Sequence, residues 1–423
     1  MTDNFIDQLL KDLKVGWFLA VRELKRSNIW STALIVFVMS LTFFNMILMG
    51  GILIGLAEGM MSSFKTYYSS DIIIKPDSKK ASIIEDSALQ SVLISLPTYR
   101  ASSDRYLSAI VAENEDKIKE RSTDIGERVS STLVGINPEN EDSVTGLSNK
   151  IVEGNYLTDS DVNSVVLGKS LLSKYSQGSS TEPRLKEVGI GSKLKLIAGI
   201  NTMNVIVKGV VDTGNSTVDG RIFIPESAMR SFMNNNNLSP NELAISLKNN
   251  SSSVDAKNYI LANFSYRDDI SVERAEETLP KAVFDMKNTF SMLGNIVGAI
   301  SLIVGAVTIF IVIFVNAITR RKYIGIMKGI GISARAIQVS YMLQSLFYAI
   351  SGIMISSFII IWFLKPWFSL HPIHFPVTEG ELAVTTTGLL IRAIILTMTA
   401  FISGFIPAWL VTKQHTLDAI LGR

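Results

Sequence analysis

The chain has 423 residues, of which 47% are hydrophobic and 18% charged, with a net charge of +2 and a mean hydropathy of +0.31. That is apolar for a soluble chain and too charged for one wholly in lipid, so a membrane part joined to a soluble part is predicted. With no cysteine there is no disulfide framework, thiolate metal site, cysteine nucleophile or lipidation cysteine; three histidines leave little for metal chemistry, and the near-neutral charge singles out no partner.

In chain order, Phe5, Ile6, Leu9, Leu13 and Trp17 recur at three- and four-residue steps, with acids and lysines on the other face. This predicts an amphipathic helix within 1–29, lying on a membrane surface or packed on the protein itself. Residues 30–56 form an apolar run too long and too late for a cleaved signal, with no small-x-small cleavage site, and are read as a retained first span. A bilayer core of roughly 30 Å takes about 20 apolar helical residues. Three further segments qualify, within 286–317, 338–364 and 386–411.

The insert 57–285 reads as α/β. Strand-like runs stand at 71–75, 164–168, 193–198, 205–211, 221–225 and 243–247, several alternating apolar and polar residues. Helical patterns lie near 82–95, 168–176 and 253–264, and polar runs at 176–183, 234–237 and 249–253 read as loops. From about residue 279 to 317 only Pro280 and a few glycines interrupt a helical pattern. Even the part from Asp285 is on the order of 45–50 Å long at helical rise. A stalk leading into the second span is therefore expected, with 58–68 as its counterpart on the first.

Lys11, Lys14, Arg22, Lys25 and Arg26 precede the first span, and Arg320, Arg321, Lys322, Lys328 and Arg335 fill 318–337 without an acid. Cations collect on the cytoplasmic side of spans. Both termini, including the tail 412–423, and the loop 318–337 are thus expected in the cytoplasm, with 57–285 and the short loop 365–385 outside.

Several motifs invite a catalytic reading and do not support one. Gly168-Lys169-Ser170 resembles the end of a phosphate-binding loop, but Asn163 stands where the earlier glycine is required, so a strand-to-helix turn is expected. Gly189-Ile190-Gly191 reads as a turn in the same way. His371 and His374 are separated by proline-rich sequence and read as loop residues unless Glu379 or Glu381 joins them on a metal. Asn45, Asn316, Gln344 and Arg392 are the main polar residues within the spans, and Arg392 lies near a span end, where it can snorkel. Gly50, Gly51, Gly55 and Ala57, and Gly294, Gly298 and Gly305, would let helices pack closely, including across a dimer interface.

The most specific stretch is Arg320-Arg321-Lys322-Tyr323-Ile324-Gly325-Ile326-Met327-Lys328-Gly329-Ile330-Gly331-Ile332-Ser333, basic yet carrying apolar residues at 324, 326, 327 and 330. It resembles the loop between the second and third spans of the MacB/FtsX/LolC-type permeases of ABC transporters, close to R-x-x-E-I-G-I-x-[KR]-A-[IL]-G-[AI]-[ST]. Tyr323 stands where glutamate is usual and Gly329 where alanine is usual. Elsewhere Ala20-Val21-Arg22-Glu23, Leu133-Val134-Gly135-Ile136-Asn137-Pro138, Val188-Gly189-Ile190-Gly191-Ser192, Ile406-Pro407-Ala408 and Leu417-Asp418-Ala419-Ile420 follow the family's order, so the resemblance covers nearly the whole chain.

The resemblance implies a membrane α-helical fold with four transmembrane helices in a 1+3 arrangement and a large α/β extracytoplasmic domain between the first two. It implies a multi-pass inner-membrane permease, itself not an enzyme, that transmits motion from a separate dimer of ATPase subunits to its outer domain. Export of periplasmic substrates or extraction of lipoproteins or lipids is the implied work, and regulation of a cell-wall hydrolase or sensor kinase the alternative. The partners implied are the ATPase, a second permease copy (identical or paralogous), membrane lipids and, for an exporter, a periplasmic adaptor and outer-membrane channel; no nucleic acid is expected. ATP and magnesium belong to the ATPase, with no cofactor on this chain. Arg320, Arg321, Lys322, Ile324, Gly325, Met327, Lys328 and Gly331 are the residues expected to couple to it.

Overall fold

The computed structural model describes residues 2–78, 80–84, 86–115, 127–175, 183–248, 252–371, 373–375, 378–380 and 382–413, with the side chains of 2–6, 9, 373–375 and 378–380 excepted. Helix α1 (Thr2–Arg26) precedes α2 (Ile29–Ser63), which widens into a π-helical segment at Phe64–Ser69. There follow β1 (Ile72–Pro76), α3 (Asp86–Ser95), β2 (Tyr99–Asn114), β3 (Arg128–Ile136), α4 (Pro138–Thr145), β4 (Ile151–Gly154), β5 (Ser164–Gly168), β6 (Lys193–Ala198) and β7 (Asn201–Val211). Next come α5 (Ser216–Asp219), β8 (Arg221–Pro225), α6 (Glu226–Phe232), β9 (Glu242–Leu247), α7 (Ser253–Asn263) and β10 (Ile270–Arg274). The chain then runs through α8 (Lys281–Thr319), α9 (Arg321–Gly329), α10 (Ala334–Ile359), a second π-helical segment (Ile360–Leu364) and α11 (Lys365–Leu370). The strand pair β11 (Ile373–Phe375) and β12 (Thr378–Gly380) precedes α12 (Thr386–Thr412).

Two compact units result. One comprises Met1–Ala57, Met286–Ile373 and Gly380–Arg423, the other Glu58–Asp285 and His374–Glu379. The unit boundaries near 57 and 285 fall inside α2 and α8.

The larger insert is built on one sheet. Among the described residues β2, β3, β8, β5, β7 and β6 pair in that order, and β6 pairs back onto β2, so these six strands close a ring. Alternation sends Tyr106, Ile110, Leu133, Val165, Leu167, Leu194, Leu196, Val205, Ile222 and Ile224 into its interior, all buried. The first half of β2 pairs instead with β9, which continues through β1 to β10. The apolar face of that extension (Ile72, Ile74, Leu243, Ile245, Val272) is covered by Leu89 and Leu93 of α3 and Ala256 and Ile260 of α7. A third core lies on another face, where Ile73, Val134, Ile136, Val166 and Phe223 meet Phe64, Tyr68 and Leu279. The strands expected at 164–168, 193–198 and 221–225 are present with those limits. Strands β2, β3, β4 and β10 were not anticipated as strands, and the pattern at 168–176 is a pair of short 3₁₀ turns, Lys169–Leu171 and Ser173–Tyr175. Most of the loop expected at 176–183 and at 249–253 lies outside the described residues.

Among the described residues, four helical stretches are long and apolar enough to cross a membrane: Ile29–Ser69, Lys281–Thr319, Ala334–Leu370 and Thr386–Thr412. The small residues of α2 and α8 meet each other within one chain. A Cβ on Gly294 would lie 3.2 Å from the Gly50 Cα, one on Gly298 3.6 Å from Met46, and one on Gly305 2.9 Å from Thr42. Asn45 adds a hydrogen bond to the Ser301 hydroxyl at 3.2 Å. The dimer interface suggested for these glycines is therefore not needed to explain them. Helix α2 is equally close to α10, where a Cβ on Gly352 would lie 2.8 Å from both the Met39 Cβ and the Ser40 backbone nitrogen, and Ser40 and Ser356 share a 2.8 Å hydroxyl contact.

Helix α1 packs along α10 through small residues. A Cβ on Gly16 would lie 2.6 Å from Val339, Ala20 is buried, and Asp12 accepts a 2.5 Å bond from Ser333. Leu13, Trp17 and Phe18 stay exposed. The side chains of Phe5, Ile6 and Leu9, part of the expected amphipathic stripe, lie outside the described residues.

Candidate functional site

The basic stretch after α8 folds as α9, a helix of nine residues set between two turns. Its 3.6-residue period splits the apolar residues between two faces. Ile324, 2% exposed, and the neighbouring Met327 join the apolar core formed by the spanning helices. Gly325 is buried as well. On the opposite face Tyr323 is 69% exposed, Ile326 50% and Ile330 74%, with Lys322 beside them. Ile324 and Gly325, expected among the coupling residues, thus fix the helix to its own scaffold, and the apolar side chains offered outward are Tyr323, Ile326 and Ile330.

The anchoring continues at both ends. Lys328 Nζ donates to the Thr412 carbonyl at 3.1 Å, and Gln338 donates to the Thr412 hydroxyl at 2.8 Å, so α9 and the start of α10 are tied to the last turn of α12. Arg320 pairs with Glu23 of α1 at 3.4 Å, and Glu23 also accepts from Gln344. Gly331 has φ +94°, a left-handed conformation that turns the chain from α9 toward α10 and that a side chain would strain. Ser333 caps α10 by accepting from Ala336 N at 3.0 Å. A Cβ on Gly329 meets open space, so the alanine usual in the resembling family would fit there. The result is a rigidly mounted helix with a basic and apolar outer face, suited to a protein surface with acidic and apolar character.

A second constellation, unforeseen from the sequence, is buried in the sheet-bearing unit. Arg105 of β2 donates two bonds to Glu141 of α4, from Nε at 3.0 Å and Nη2 at 2.6 Å, and a third from Nη1 to the Tyr68 carbonyl at 2.5 Å. Glu242, its cross-strand neighbour on β9, accepts two 3.2 Å bonds from Arg221 and one of 3.0 Å from the Tyr68 hydroxyl. The Arg221 guanidinium lies 5.0 Å from the centre of the Tyr68 ring. Burial works against the Glu242 charge, yet Arg221 and then Arg105 outweigh it and hold the carboxyl below the usual glutamate range. Arg105 stands where β2 passes from the ring to the β9–β1–β10 extension, so this network joins both parts of the sheet to the segment Phe64–Ser69.

The remaining singled-out residues have structural roles. Gly168 ends β5 against the Asp219 backbone, and Lys169 pairs with Asp212. The Arg392 guanidinium packs on Gly50, in the space a Cβ would take. His371 stacks on Trp367 at 5.4 Å between ring centres, while Glu381 and the side chains of His374 and Glu379 lie outside the described residues. The closing segment 417–420 lies outside them too. No group of three or more metal-ligating side chains occurs among the described residues.

Residues 32–263, more than half the chain, match the profile of the MacB-like periplasmic core domain, and residues 295–416 match that of the FtsX-like permease C-terminal region. Among solved structures, the periplasmic region of MacB from Actinobacillus actinomycetemcomitans is similar at 16% identity and TM-score 0.35, over 49% of this chain and 90% of that one. The extracellular domain of the noncanonic ABC-type transporter YknZ from Gram-positive bacteria is similar at 15% identity and TM-score 0.32, over 48% and 98%. No curated protein matches the chain.

Proposed function

Because the chain belongs to the MacB/FtsX-type ABC transporter permeases, we propose that it receives the stroke of a separate ATPase dimer on α9 and passes it to its sheet-bearing unit. In this reading two permease copies, identical or paralogous, bind two ATPase subunits that hold the ATP and magnesium. Nucleotide binding brings the ATPase subunits together and displaces α9. Helices α2 and α8, inside which the unit boundaries fall, carry the displacement onward, biasing a two-state element remote from the nucleotide. The termini and α9 are then cytoplasmic and residues 58–285 outside, an orientation that the clustering of cations supports. The work done is export of a substrate already outside the inner membrane, through an adaptor and outer-membrane channel, or extraction of lipoproteins or lipids.

The observation that supports this reading most is the outward face of α9. Tyr323, Ile326 and Ile330 are exposed on a helix whose other face is locked by Ile324 and Lys328. An aromatic and two aliphatic side chains beside Lys322 are typical anchors of a protein interface. The test is purification of the tagged chain from its native membrane in mild detergent, with mass spectrometry of what accompanies it. An ATPase carrying a phosphate-binding loop is expected at equal stoichiometry. Tyr323→Ala combined with Ile326→Ala is expected to lower its recovery by about tenfold or more. Recovery of the intact chain without any ATPase, or undiminished capture by the double variant, would overturn the proposal.

A further inference from the structure

Among the described residues two that are not glycine have positive φ, Asn234 at +50° and Ser70 at +52°. Asn234 stands exposed in a turn, and asparagine enters that region at little cost. Ser70 is 6% exposed, and with ψ −144° it lies outside the left-handed helical basin, in a region that glycine alone enters readily. It follows directly on the π-helical segment Phe64–Ser69, whose hydrogen-bonded rings each hold one residue more than an α-helix does. The other π-helical segment, Ile360–Leu364, passes into α11 through Lys365 with ordinary helical angles, φ −57° and ψ −48°, so π-winding alone does not impose such strain.

The strain is held from the sheet. Ser70 bridges to Ile245 of β9, the Asp71 N–H donates to the Ile245 carbonyl at 3.1 Å, and Asp71 Oδ2 accepts from the Leu247 N–H at 2.8 Å. Just before them Arg105 donates to the Tyr68 carbonyl, and the Tyr68 hydroxyl donates to Glu242. The segment is therefore pinned at 68, 70 and 71, while its other end continues α2. We propose that Phe64–Ser70 is a two-state register switch. In one state the segment is π-helical, Ser70 is strained and Tyr68 is seated on Glu242. In the other the segment rewinds as α-helix, the register moves by one residue and Ser70 takes ordinary angles. One residue of register is a turn of about 100°, enough to lift Tyr68 from its seat beside Glu242 and Arg221 and from the core it shares with Ile73 and Leu279. Strain favours the rewinding and the Tyr68 contacts oppose it, so a twist of α2 decides between them. Only the trigger rests on the proposed coupling to an ATPase; the strain and the two registers belong to this chain alone.

The test compares Ser70→Gly with Ser70→Ala in the full chain in detergent, by hydrogen exchange of the amides of residues 66–71. Glycine removes the strain and deepens the π-helical state, whereas alanine keeps it. Exchange of these amides is expected to be about tenfold slower in the glycine variant than in the alanine variant. In the native chain it is expected to be insensitive to low urea, because rewinding exposes little surface. At an unstrained position glycine would loosen the segment relative to alanine, so exchange in the glycine variant as fast as in the alanine variant, or faster, would overturn the proposal. Exchange of these amides only through global unfolding, with its full urea dependence, would overturn it too. Neither measurement needs an ATPase, so both decide the switch whether or not the coupling holds. With the ATPase and a non-hydrolysable ATP analogue, spin labels at Thr66→Cys and Lys248→Cys, exposed positions in a chain with no other cysteine, are expected to report a nucleotide-dependent change in distance. Ser70→Gly is expected to diminish that change while leaving recovery of the ATPase as it is, and an undiminished change would count against the switch and not against the coupling.

Discussion

Asp104 is the residue whose chemistry is most out of place. Burial, then the nearby carboxyls of Asp86 and Glu226, push it up to about 7, against the smaller opposing influence of a 3.1 Å bond from Gln90 and of Arg230. An aspartate in the unfolded chain titrates near 4. Between those limits the folded state binds a proton that the unfolded state has released, so this group's contribution is complete below about pH 4 and is lost as pH rises through 7. Asparagine keeps an oxygen for Gln90 and has no charge to desolvate. Asp104→Asn is therefore expected to stabilise the sheet-bearing unit at pH 8 by on the order of 1 kcal/mol, with little effect at pH 4. The check is the urea midpoint of the full chain in detergent at both pH values, with hydrogen exchange of β2 and α3 as a local readout. A native-like pH dependence in the variant would show that Asp104 is not the titrating group.

At the scale of elements, the spanning helices are packed by backbone approach, and that makes them intolerant. At Gly352 a new Cβ would collide with the Met39 Cβ and the Ser40 backbone, neither of which is the end of a flexible side chain. Gly352→Val is expected to cost about 2 kcal/mol or more through overpacking, read as a lower melting temperature in detergent. Gly50→Ala is expected to be milder, because the atom in its way is the tip of the Arg392 side chain. An equal loss for both would mean that helix approach is not the limiting contact. These helices were legible in the sequence because length and hydropathy suffice to mark them. Strand β2 was not. Its first half carries Ser103 and Arg105 on an inward face, where an alternating pattern calls for apolar residues, and only Glu141 and Glu242, remote in sequence, make burial of that arginine acceptable. The same limit applied to α9. Both of its faces contain isoleucine, so periodicity reveals a helix but not which face is outward. The packing of α10 and α12 decides that, burying Ile324 and leaving Tyr323, Ile326 and Ile330 exposed.

For the whole molecule, the sheet-bearing unit and the helical unit each have cores of their own. Such units need not unfold together. Urea is expected to produce two transitions, one lost with sheet signal and one with helical signal, and the buried network permits each to be addressed alone. Arg105 is 2% exposed and holds Glu141, which is 1% exposed. Replacing the arginine by methionine leaves that carboxylate buried without its partner. The first transition is expected to fall by about 3–5 kcal/mol while the helical transition stays in place. Replacing both members, Arg105→Met with Glu141→Met, removes the orphaned charge and is expected to recover much of the loss, because the desolvation of the pair offsets most of its attraction. The cycle separates two roles for the network. Under the proposed coupling to a separate ATPase, spin labels on Phe64–Ser69 and on β9 read the difference: a stable double variant that loses a nucleotide-dependent change at that segment assigns the ion pairs to fixing the segment to the sheet, and one that keeps the change assigns them to holding the fold together and nothing more.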